Sequence, residues 1–234
     1  MTRAGWLALP LLAVIVTAPA PAQVKTVALA PVILPRDLRD GSVEAARQRF
    51  DSLLAAALTA AGFTVVTPPQ SDAVWTRVRD SIGGFYDTYT GRIVPAKFEA
   101  IYSATRRELA ARYGADAWLH PSIEIFSLPF GGGTAQWHGA SEPSGGRGGL
   151  GGLLLGRSVG TIPALSLVVA VEDTGGTTLY QRAGGIQLLG KIAGGDLHRV
   201  PAESLFADTA RTRGAVRLVL DSLPAVLRRP RPPS

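Results

Sequence analysis

The chain has 234 residues, a net charge of +6, 46% hydrophobic residues and no cysteine. That length suffices for one substantial core. The missing cysteine excludes disulfides, thiolate metal sites and a lipidated amino-terminal cysteine, so the packing alone must stabilise the fold.

The opening "MTRAGWLALPLLAVIVTAPAPAQ" places Arg3 before an apolar run from Trp6 to Val16, followed by small residues and prolines ending in Ala20-Pro21-Ala22. This is the layout of a secretory leader. The run is short for a membrane span, and prolines break it as a helix. Residues 1–22 are therefore read as a signal peptide, 23–229 as one domain and 230–234 as a basic, proline-rich tail. Loss of Arg3 lowers the charge from +6 to +5. The mature protein is expected in the periplasm, soluble or peripheral to the outer membrane. Its arginines are interleaved with acids and lack an aromatic base-stacking pattern, which speaks against nucleic acid.

"VKTVALAPVILP" reads as a buried strand. A helix follows in "SVEAARQRFDSLLAAALTAAG", capped by Ser42, with Val43, Ala46, Phe50, Leu53, Leu54, Ala57, Leu58 and Ala61 on one face and Gly62 as its left-handed stop. "FTVVTPP" is a second strand, ended by Pro68 and Pro69. The three segments form a βαβ unit, which predicts parallel neighbouring strands. Ser71-Asp72 begins a shorter helix through Trp75 and Val78. An aromatic loop, "GGFYDTYTGR" (83–92), separates it from a longer helix with Pro95 in its first turn, Phe98, Ile101, Tyr102, Leu109 and Tyr113 along it, and Gly114 at its end. "DAWLHPSIEIFSL" then reads as a strand in which Pro121 suggests an edge position or a bulge.

"TAQWHGA" (134–140) is a further strand, and residues 141–160 a glycine-rich loop insertion. "IPALSLVVAVED" and "TLYQRAGGIQLL" predict a long hairpin with Gly175-Gly176 at its tip and a bulge at Gly184-Gly185. Residues 201–229 read as one amphipathic closing helix, carrying Leu205, Phe206, Ala210, Val216, Val219, Leu220 and Leu223 and bent or ended by Pro224. The fold class is α/β: a single domain whose mixed sheet begins with a βαβ unit and ends in a hairpin and a carboxyl-terminal helix.

Candidate chemistry is sparse. "GGLLLGRS" (151–158) approaches a phosphate-binding loop with Arg157 in place of lysine, and "GRGGLG" (146–151) has dinucleotide-loop spacing. Both need a strand before and a helix after. The sequence following them is β-branched, so nucleotide binding is set aside. His120, Glu124 and His138 could meet at a metal if the fold gathered them, and they are the site of the alternative reading, a small-ligand or metal-dependent periplasmic enzyme; a cell-wall-binding module using the arginine surplus is the other alternative, and His198 stands apart. No G-x-S-x-G elbow appears, and Ser158 has no nearby base. Glu172-Asp173 flank the hairpin tip, and Asp116 suits a turn or cap. The reading is of a non-enzymatic protein without cofactor or metal. Phe85, Tyr86 and Tyr89 in one loop, and Leu153, Leu154, Leu155 and Arg157 in the other, are its candidate contact surfaces.

"VALAPVILP", "RFDSLLAAALTAAGFTVVTP", "ELAARYGADAWLHPSIEIF" and "LSLVVAVEDTGGTTLYQRAG" together resemble bacterial envelope proteins of the anticodon-binding-domain-like α/β fold. These include the TolB amino-terminal domain, the curli-secretion channel family and lipoproteins that activate penicillin-binding proteins. The resemblance spans most of 24–227 and implies a structural or interaction component, with envelope proteins or further copies of itself as partners. It carries over no catalytic residue. The chain departs from many such relatives in lacking the lipid-attachment cysteine and in its segment 141–160.

Overall fold

The computed structural model describes residues 23–35, 38, 41–130, 133–145, 160–193 and 196–229. The leader and Leu153, Leu154, Leu155 and Arg157 lie outside the described residues.

Strand β1 (Thr26–Leu29) leads into helix α1 (Gly41–Ala60) and strand β2 (Thr64–Val66). β1 and β2 pair in parallel, Thr26 opposite Thr64, as the βαβ reading expects. Gly62 closes α1 at φ +85°. Helices α2 (Pro68–Ile82) and α3 (Pro95–Tyr113) return the chain to strand β3 (Ala117–Phe130), which lies parallel to the other side of β1. The Asp116 carboxylate accepts from the Lys25 and Thr26 amides at 2.8 and 2.9 Å, locking the start of β1.

Pro68 and Pro69 do more than stop β2. They form the first turn of α2, three residues before the expected start, where a missing N–H costs nothing. Gln70 Oε1 accepts from both the Thr67 amide and hydroxyl, which closes that end.

Strands β6 (Gly160–Asp173) and β7 (Thr178–Leu188) form the expected hairpin, and the five-stranded sheet runs β2-β1-β3-β6-β7. Pro121 is therefore in the central strand, not at an edge, and β3 pairs with β6 without a register shift. Its ring is tolerated because residue 121 turns its backbone toward β1, which has already left the ladder. The Pro121 carbonyl still accepts from the Ile33 amide at 3.0 Å.

β6 opens at Gly160, directly after the glycine-rich stretch, where a phosphate loop would require a helix. Residues 141–143 are not loop. Strands β4 (Thr134–Trp137) and β5 (Ala140–Pro143) form a tight hairpin turned by His138 and Gly139, both at positive φ. This hairpin lies over β7, with the Gly185 amide donating to the His138 carbonyl at 3.0 Å. A Cβ on Gly185 would stand 2.5 Å from the Ala140 Cβ, and one on Gly184 would stand 2.6 Å from the Ala215 carbonyl on the opposite face. The glycine pair lets the hairpin and a helix close on both faces of one strand, and the register shift falls beside it.

Residues 190–200, unassigned in the sequence reading, contain the two-stranded β8 (Gly190–Ala193) and β9 (Asp196–Arg199), and His198 sits exposed on β9. The closing helix is two: α4 (Thr209–Leu220) and α5 (Leu223–Leu227), with Pro224 in the first turn of the second. Leu205 and Phe206 precede α4. Phe206 sits at φ +62°, clamped by Arg49 donating to its carbonyl and by Gln187 accepting from its amide, with its ring edge-on to Phe50 at 5.9 Å. A helix cannot pass through that conformation, so it starts at the Asp208 cap instead.

The sheet carries a layer on each face. α1, α4 and α5 bury Phe50, Leu54, Leu119, Leu167 and Val219 in the main core. On the other face, α2 and α3 pack on Trp118, and the β4–β5 hairpin packs on Leu128 and Ile162.

Candidate functional site at the end of β1

β1 and β2 are adjacent parallel strands whose following helices lie on opposite faces of the sheet. Chains that diverge this way leave a crevice beyond the carboxyl ends of the strands, the usual place for a ligand in such sheets. A cleft of about 290 Å³ opens there. Ala30, Pro31 and Ile33 form one lip, and Trp75 of α2, Tyr102 of α3 and His120 of β3 line the wall. A trough of about 550 Å³ adjoins it and shares Pro31, Arg47 and Asp72.

The ring wall follows from local geometry. Phe98 and Tyr102 are four residues apart on one face of α3, and Trp118 and His120 are two apart on one face of β3. Trp75 meets the rings of Phe98, Tyr102 and Trp118 at 6.1, 6.2 and 6.3 Å between centroids. Tyr102 stacks on His120 at 5.1 Å, and its hydroxyl lies 2.7 Å from His120 Nε2. Burial, aided by the nearby Arg106 cation, pushes the His120 pKa down to about 4, so the ring is neutral at neutral pH. Burial likewise raises the Tyr102 phenol.

Two polar atoms in this wall are buried with no hydrogen-bond partner among the described residues: Ser71 Oγ and Trp118 Nε1. Arg106 secures the wall from behind. It donates to Glu172 Oε2 at 2.9 Å, and its guanidinium lies 5.0 Å from the centre of the Tyr102 ring.

At the mouth, Asp51 accepts from the Val32 amide at 2.8 Å and from Arg47 at 3.1 Å. Burial raises its pKa against those two contacts.

The loop 83–92 belongs to the same face. It is a small hairpin in which Asp87 Oδ1 accepts from the amides of Tyr89 and Thr90 and from the Thr90 hydroxyl. Phe85 turns inward, 5.4 Å from Phe98. Tyr86 stacks on Phe85 at 4.5 Å and is 49% exposed, while Tyr89 at the tip is 97% exposed. A continuous run of rings thus passes from the cleft to the surface.

His120, Glu124 and His138 are each held elsewhere: His120 by Tyr102, Glu124 by the Ser122 hydroxyl at 2.9 Å, and His138 by the Ser166 hydroxyl at 2.8 Å. Among the described residues, no three His, Cys, Asp or Glu side chains gather in a geometry that could hold a metal. In the sequence, Trp75, Phe98 and Tyr102 stand as apolar residues along two helices and Trp118 as an apolar residue of the following strand. Their crowding between 75 and 120 was the available signal.

No family model and no curated protein matches the chain. Among solved structures it is similar to a lipoprotein from Neisseria meningitidis, at 14% identity and TM-score 0.34, covering 73% of this chain and 88% of that one. A hypothetical protein from Chlamydia trachomatis is matched at 12% identity and TM-score 0.41, with coverages of 87% and 97%. A protein described as a neuraminyllactose-binding hemagglutinin homolog from Helicobacter pylori is matched at 7% identity and TM-score 0.32, with coverages of 93% and 91%. Likeness at this level transfers no residue's role to this chain.

Proposed function

We propose that this is a non-enzymatic protein of the bacterial envelope, exported by its leader, that works by binding a partner at the face formed by the cleft and the loop 83–92. The observation that carries this is the path of rings from the strand-end cleft through Phe98 and Phe85 to the exposed Tyr86, with Tyr89 fully exposed at the tip of the same loop. Exposed tyrosines beside a preformed concavity suit an anchor-and-rim interface. Asp51 and His120 at the cleft have structural partners, and His120 stays neutral across the physiological range, which fits holding better than proton transfer.

The test is a crosslinking pull-down of the mature protein from its own envelope. A consistent partner should be recovered and lost in a Tyr86→Ala/Tyr89→Ala variant. Equal capture by that variant, or no partner at all, overturns the reading.

A further inference from the structure

We propose that the cleft at the end of β1 binds an organic cation bearing N–H groups, an alkylammonium or guanidinium, with its apolar stem against Trp75, Phe98 and Tyr102 and its charge toward Asp72 and Asp51. The inference rests on the binding reading above and names the chemistry of what is bound.

Charge is the first ground. Among the described residues Arg47 is the cation of the lining, and it is already engaged, with Nε donating to both Glu44 oxygens at 3.0 and 2.9 Å and Nη1 to Asp51. Asp72 acts on the same guanidinium through its charge, so three carboxylates surround it among the described residues, in a protein whose net charge is +6. Asp72 is exposed at the rim and makes no hydrogen bond or ion pair among the described residues. His120 adds no positive charge at neutral pH. An anion would meet this surplus of carboxylate unfavourably, and a neutral ring would leave it unused.

The wall is the second ground. Indole and phenol faces attract cations, most strongly where water is excluded. The same chemistry is realised within the chain on Tyr102, where Arg106 lies 5.0 Å from the ring centre with its charge met by Glu172 and Glu99.

The third ground is Ser71 Oγ. The residue is 1% exposed, lines the cleft and has no partner. A buried hydroxyl without a partner is costly. An N–H from the bound cation would satisfy its lone pairs, which a quaternary ammonium could not do. The volume of about 290 Å³ suits a single side chain or a small amine.

The cation could be a basic side chain of the partner or a free amine, and the probes separate these sources. The mature chain, ¹⁵N-labelled at indole, would be titrated with acetyl-arginine methylamide, acetyl-lysine methylamide, butylguanidinium, butylammonium and the neutral acetyl-citrulline methylamide. Trp75 and Trp118 line the cleft, whereas Trp137 donates to the Leu165 carbonyl in another cluster and serves as internal reference. Saturable shifts of Trp75 and Trp118 are expected with the cations and none at Trp137. Citrulline should be inert, and Asp72→Asn should weaken binding about tenfold. Tighter binding of the blocked amino acids assigns a partner's side chain; binding of the butyl cations that is as tight or tighter assigns a free amine or guanidine. Shifts with citrulline equal to those with arginine, or an unchanged Asp72→Asn, overturn the proposal. So does silence with every probe, and in that case a partner captured through Tyr86 and Tyr89 would leave the binding reading standing.

Discussion

The two faces of the sheet are packed on different plans. Under α1, α4 and α5 the contacts are aliphatic, with Leu54, Leu58, Leu165, Leu167 and Val219 essentially excluded from solvent around the Phe50–Phe206 pair. Under α2 and α3, aliphatic residues such as Ile101 and Leu109 are joined by a cluster of flat rings, some meeting edge to face and some stacked. Branched side chains interdigitate and fill space, whereas rigid rings at steep angles leave gaps and carry polar edges that need partners. The result is one face that holds the fold together and another that keeps a cleft with Ser71 Oγ and Trp118 Nε1 still unpaired.

Substitution should separate the faces by size of effect. Phe50→Ala empties the closed face and should cost about 3–5 kcal/mol of stability, read by chemical denaturation. Phe98→Leu, a half-buried ring on the cleft wall, should cost under about 1.5 kcal/mol while abolishing the probe-induced indole shifts. Comparable losses from the two would erase the distinction.

On the aromatic face the pH dependence centres on His120. The His120 pKa falls from 6.5 unfolded to about 4 folded, so the unfolded chain binds the extra proton first. Its contribution is complete above pH 6.5 and is lost as pH falls toward 4, to a total of about 3 kcal/mol. Stability measured across that window should decline in the wild type and stay flatter in His120→Gln.

At the small end, Asp208→Ala removes the α4 cap, where the carboxylate accepts from the amides of Ala210 and Arg211, and should cost about 1 kcal/mol without affecting binding. Asp72→Asn should shift stability by less than about 0.5 kcal/mol while weakening cation binding.

The closed face was legible in the sequence because its logic is periodic. The stripe from Ala46 to Leu58 and the glycine stop at Gly62 each stand for one local geometry, as do the alternating arms around Gly175-Gly176. What escaped depended on the tertiary setting. Pro121 looked like an edge residue, yet it is central, because only the fold shows that β1 ends beside it. Phe206 fitted a helical stripe but holds a left-handed backbone through contacts with Arg49 and Gln187, both distant in sequence. His138 fills a turn position where asparagine is the customary sign. The cleft was hidden for a similar reason: Trp75, Phe98, Tyr102 and Trp118 have the spacing of core residues. Their concavity exists only because β1 and β2 send their helices to opposite faces.

Photo-crosslinking from the two faces tests the central claim most directly. Benzoylphenylalanine would be placed at Tyr89 on the cleft face and at the exposed Arg217 of α4 on the closed face, in the mature protein within its native envelope. A specific partner adduct from position 89, absent from 217, is the predicted result. An adduct formed chiefly from 217, or equally from both, would contradict the assignment of binding to the aromatic face.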